Sequence, residues 1–109
     1  MLYLNRVTLA GRLRGAPEVR YTPQGKEVVF FTLTFPSEVP QGLKVPCRDV
    51  SVRVMAKGGE GWMERAREGS NLLVEGGLME RYWRDDLGER VALEVVAQRV
   101  ALILDPQGG

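Results

Sequence analysis

A chain of 109 residues, 44% of them hydrophobic, can bury the core of one compact domain and is too apolar to be disordered. Its single cysteine, Cys47, excludes an intrachain disulfide and a cysteine-based zinc site, and the absence of histidine removes the usual general base and metal ligand. A net charge of +1 gives by itself no warrant for a polyanionic partner.

Val7, Leu9 and Leu13 alternate with Thr8, Arg12 and Arg14, a period of two that predicts a half-buried strand from Tyr3 to Arg14. Pro17, Pro23 and Gly25 break that pattern, so Gly15 to Gly25 reads as a long connection. A second strand, rich in valine, phenylalanine and threonine, runs from Lys26 to Phe35. Pro36, Pro40, Gly42 and Pro46 punctuate the following loop. A third strand covers Arg48 to Ala56, with Val50, Val52 and Val54 on one face and Asp49, Ser51, Arg53 and Met55 on the other.

Glu60 to Glu68 is the helical candidate, with an apolar stripe of Trp62, Met63 and Ala66 and with Gly69 as C-terminal cap. Strands four and five span Asn71 to Trp83 and Glu89 to Leu104, joined by a turn at Asp85-Asp86-Leu87-Gly88. Asp105 to Gly109 is a short tail. Three strands, a helix and two strands predict an all-β fold, a five-stranded OB-fold Greek-key barrel with one short helix between strands three and four. Residues 1–109 read as one domain. The N-terminus has no signal-peptide pattern, and the longest apolar run, Val100 to Leu104, is far too short to span a bilayer, so a cytoplasmic protein is expected.

Four segments in chain order resemble the bacterial single-stranded DNA-binding (SSB) family. They are Asn5-Arg6-Val7-Thr8-Leu9-Ala10-Gly11-Arg12-Leu13, Pro17 to Gly25, Gly69-Ser70 through Val74-Glu75-Gly76, and Tyr82-Trp83 with Glu94-Val95-Val96-Ala97. Each motif alone is weak; four in register are specific. The resemblance implies a binder of single-stranded DNA in replication, recombination or repair, associated with the nucleoid. It implies no cofactor, no metal and no catalytic residue. It also implies a homo-oligomer, a dimer or a tetramer, with replication or repair proteins as further partners. Such domains combine a basic groove with aromatic rings on which bases stack.

The candidate DNA-binding residues follow from both readings. Trp83 matches the family's stacking tryptophan on the last hairpin. Arg53 lies opposite the valine face of strand three, where the family often carries an aromatic, and a guanidinium plane can also stack on a base. Arg12 and Arg14 share a face, Arg81 matches a basic family position, and Arg84 is near the same hairpin; together they form a candidate phosphate stripe. Phe30 faces away from Val29, Phe31 and Leu33, which suits a base platform, a subunit contact or partial burial on both faces. Trp62 is assigned to the core.

The sequence also departs from the family. Cys47 stands where a tryptophan is usual, and Asp49 where a basic residue is. The loop Ser37 to Pro46 has Lys44 as its only basic residue and no aromatic. Asp85 and Asp86 flank Trp83, and no acidic-tipped tail follows Gly109. These losses predict weaker, more salt-sensitive binding. They leave open a tail-less adaptor of the PriB type, whose main partner is a replication or repair protein, and a structural module that binds no nucleic acid. Glu60, Glu64 and Glu68 would line one helix face; interleaved with Arg65 and Arg67, they read as solvated rather than catalytic.

Overall fold

The computed structural model describes residues 2–104. The elements run β1 (Val7–Tyr21), β2 (Glu27–Phe35), β3 (Val50–Lys57), α1 (Trp62–Arg65), β4 (Asn71–Asp85) and β5 (Gly88–Ile103). The strands close into a barrel in the order β1-β2-β3-β5-β4, with β4 returning to β1. All neighbours are antiparallel except β3 and β5, which run parallel at Val54–Val95 and Met55–Val96. This is the expected OB-fold, with its helix in the β3–β4 connection.

The alternation read from the sequence sorts the side chains as expected. Leu13, Val29, Phe31, Leu33, Val54, Leu72, Val74 and Val95 point inward and are almost fully buried. The α1 turn adds Trp62 and Ala66 to this core. Trp62 meets Phe31 edge-on, with ring centroids 5.2 Å apart. Trp62 therefore has the core role assigned to it, and Phe31, on the face opposite Phe30, packs beside it.

Element boundaries differ from expectation in three places. β1 starts at Val7, not Tyr3. The Asn5 side chain stands in for a further backbone pair, accepting from the Leu78 N–H at 2.7 Å and donating to the Leu78 carbonyl at 2.8 Å. β1 also continues through most of the segment expected as a loop. Its register on β2 shifts between Arg14 and Glu18, then resumes to Tyr21. Gly15, at φ 74°, and Pro17, which has no N–H to donate, both fall inside that shift, where the ladder is interrupted.

The third difference is the helix, which shrinks to four residues. Ala66 is already extended at ψ 138°, and Gly69 (φ 88°) sits in a separate turn that donates to the Leu13 carbonyl. So short a helix exists through the burial of Trp62, not through propensity. Glu60 and Glu68 lie outside it, and the three-carboxylate face does not form. At smaller scale, β3 starts at Val50 and the last turn tightens to Asp86-Leu87. The tail from Asp105 onward lies outside the described residues.

The β4–β5 register shifts at Glu75/Gly76. There an added Cβ on Gly76 would sit 1.9 Å from the Val96 carbonyl oxygen, a backbone atom that cannot swing aside. Gly76→Ala is expected to destabilise the barrel by about 1–3 kcal/mol, in the range of overpacked sites. Urea denaturation of the two proteins would measure it.

Candidate nucleic-acid interface

Because opposed residues in neighbouring strands share a face, register alone assembles the outer surface. One row runs from Arg14 (β1) through Thr32 (β2) and Arg53 (β3). It continues through Glu94 (β5), adjacent to the Val54–Val95 pair, to Met79 (β4). The next row carries Glu18, Phe30, Met55 and Val96. Further along β4, Arg81 and Trp83 point the same way as Met79.

Four of these side chains meet in pairs across the face. The Arg53 guanidinium lies 4.4 Å from the centroid of the Phe30 ring, and that of Arg81 lies 4.2 Å from the centroid of Trp83. Arg20 approaches the same Phe30 ring at 5.4 Å. Each such contact contributes about 0.5–1 kcal/mol at an exposed site. Between the two arginine–ring pairs sits Glu94, only 2% exposed. Its Oε2 accepts from Arg81 Nε at 2.6 Å and lies 3.7 Å from Arg53 Nε.

The structure thus brings together Phe30, Arg53, Arg81 and Trp83. Arg14 joins them, lining one shallow recess with Phe30, Thr32 and Arg53. Arg12 lies on the same face one pair further along, opposite Thr34. Arg84 does not join: strand alternation turns it to the other side of the hairpin, with Tyr82 and opposite Glu89. Among the described residues Arg12, Arg14 and Arg84 form no ion pair.

The acidic hairpin tip is less opposed to an anion than its sequence suggests. Asp85 accepts from the Leu87 N–H at 2.8 Å and pairs with Arg90 at 3.2 Å, so its charge is used within the turn. Cys47 and the loop around it are exposed.

Two residues of the face were missed by sequence reasoning. Arg20 was hidden inside a segment read as loop; it is also paired with Glu18 at 2.6 Å. Glu94 was seen only as part of a family motif, because a carboxylate next to Val95 and Val96 gives no sign of which arginines will cover it. Among the described residues no group of three or more acidic or cysteine side chains could hold a metal. No helix there is long and apolar enough to cross a membrane.

A closed five-stranded barrel whose outer face pairs guanidiniums with aromatic rings is an OB-fold of the oligonucleotide-binding type. The profile of the Single-strand binding protein family matches residues 4–103, and the chain belongs to that family. It is 32% identical over 108 residues to the single-stranded DNA-binding protein of Aquifex aeolicus, covering 96% of this chain and 74% of that protein. With the single-stranded DNA-binding protein A of Bacillus subtilis it shares 34% over 110 residues, covering 97% of this chain and 62% of the other. The protein of Halalkalibacterium halodurans is 35% identical over 107 residues, with 63% of its length covered. This chain therefore spans between about three fifths and three quarters of these relatives. A solved structure of the Plasmodium falciparum SSB complex with ssDNA superposes with a TM-score of 0.76 at 21% identity. The match covers 96% of this chain and 98% of that one, a likeness of fold.

Proposed function

We propose that this domain binds single-stranded DNA without strong sequence preference, in replication, recombination or repair. The observation that carries the reading is the strip of Phe30, Arg53, Arg81 and Trp83, two base-sized rings each next to a guanidinium. Rings offer every base a π-face, and arginines neutralise phosphate without reading sequence. Family membership supports the same reading, and the relatives named above all carry single-stranded DNA in their names. None of them is named as an adaptor.

On this reading residues 1–109 form one domain that needs no cofactor and performs no reaction, acting at the nucleoid in the cytoplasm. A homo-oligomer, dimer or tetramer, is part of the proposal. β1 pairs with β4 only over Val7–Arg12 and with β2 only from Arg12 onward, so each half offers an unpaired edge for a second copy. Replication or repair proteins are the further partners it would meet on DNA.

A titration of intrinsic tryptophan fluorescence with a dT oligonucleotide, at low and at physiological salt, tests the reading. Saturable quenching that weakens with salt is expected. If about four phosphates are neutralised, the log–log salt slope is about −3. No quenching, together with no gel shift, would remove the proposal and leave the fold.

A further inference from the structure

Glu94 is the one charged side chain sealed into the barrel wall among the described residues. A carboxylate at 2% exposure persists only when it is paired. Here the partners come from two other strands, Arg53 from β3 and Arg81 from β4, and both approach the same oxygen, Oε2. One carboxylate therefore ties two arginines to a single point, between the ring that each covers.

The way they are held leaves them useful. In both cases the nitrogen facing Glu94 is Nε, the inner edge of the guanidinium. The terminal nitrogens of Arg53 and Arg81 make no hydrogen bond among the described residues, and the two side chains are 38% and 41% exposed. Two cations and one anion leave the cluster a net positive charge. A second detail points the same way. Glu94 Oε1 and Arg53 Nε are buried without hydrogen-bond partners, although Arg53 Nε is only 3.7 Å from the neighbouring oxygen. A shift of about an ångström by Arg53 would bring it within hydrogen-bond distance of the carboxylate.

We propose that Glu94 is a positioning residue of the single-strand site, holding Arg53 and Arg81 as a preset phosphate clamp between the Phe30 and Trp83 platforms. This rests on the DNA-binding reading above. Glu94 does not touch the strand. It fixes two long side chains during folding, so that their ordering is not an added cost of binding. Contact with a phosphate then falls to the terminal nitrogens that Glu94 leaves free.

Simple electrostatics and positioning predict opposite signs for Glu94→Gln. Removal of a carboxylate makes the domain one unit more positive, which by itself tightens binding to phosphate. Loss of positioning weakens it. The experiment measures binding of a fluorescent dT oligonucleotide to the full chain and to Glu94→Gln over a range of salt, with circular dichroism as the check on folding.

The expected result is binding weaker by about tenfold, the scale of re-ordering one or two long side chains at an interface. The salt slope should also become shallower by about 0.7 for each phosphate that the variant no longer neutralises. A merely structural role would leave the slope of the folded fraction unchanged. If Glu94→Gln does not fold, Glu94→Asp keeps the charge but shortens the reach by one methylene and is expected to show the same two changes.

Variant binding as tight as wild type or tighter, with an unchanged slope, overturns the proposal while the DNA-binding reading stands. Absence of binding by the wild-type chain itself overturns that reading, and the clamp with it.

Discussion

Trp62→Ala is expected to lower the stability of the domain by about 3–5 kcal/mol, the range for deleting a large buried aromatic side chain. The size of the effect follows from the place of this residue. α1 is a single turn of four residues, and Trp62 is its only buried residue. The indole closes the barrel against Phe31 at 5.2 Å, so alanine would leave a cavity and also remove the reason for the turn to form. A small domain has about 5–15 kcal/mol of stability in all, so a large share of it is at stake. Trp62→Phe should cost much less, since it keeps a ring against Phe31 and removes an indole N–H that is buried without a partner. Urea denaturation of the three proteins would check both. A loss below about 1 kcal/mol in Trp62→Ala would place this side chain outside the true core.

Trp83→Ala is expected to weaken binding to a dT oligonucleotide by about 1–3 kcal/mol, roughly 5- to 150-fold, with little change in thermal stability. Trp83 is on the projecting part of the β4–β5 hairpin, 37% exposed, with the Arg81 guanidinium over its ring. Its removal takes away a base platform and leaves the core packing intact. Phe30→Ala, at the other end of the strip, should weaken binding by a similar factor, since Arg53 and Arg20 then have no ring to lie on. The two sites are separated by the Glu94 cluster, so the double variant should show nearly additive losses if one strand crosses both platforms. Fluorescence anisotropy of a labelled oligonucleotide would measure all three variants, with Trp62 reporting folding in each. Full affinity in a folded Trp83→Ala protein would move the strand off this hairpin.

The period of two was enough to sort Val29, Phe31 and Leu33 inward and Phe30 outward, because a strand allows each side chain only two directions. It also put Arg53 on the outer side of β3. What alternation does not carry is the partner of each residue. Arg84 and Trp83 are neighbours in sequence, and only their β-register shows that they point to opposite sides of the hairpin. Asp85 reads in sequence as hostile to an anion, yet Arg90 and the Leu87 N–H already occupy it. The segment from Gly15 to Gly25 has the composition of a loop, and its breakers were overridden up to Tyr21 by hairpin pairing with β2, which residue-by-residue turn chemistry does not register. The helix failed in the other direction, with a nine-residue pattern reduced to the four residues that the burial of Trp62 supports.

The order of strands, the inward and outward faces, the core and the family motifs were therefore determined by the sequence itself, since each depends on local periodicity, turn chemistry or residue identity. The convergence of Arg53 and Arg81 on Glu94, and the stacking of those arginines on Phe30 and Trp83, was decided by tertiary structure alone. Those five residues come from four strands, and the parallel pairing of β3 with β5 is what brings the two arginine–ring pairs to either side of one carboxylate.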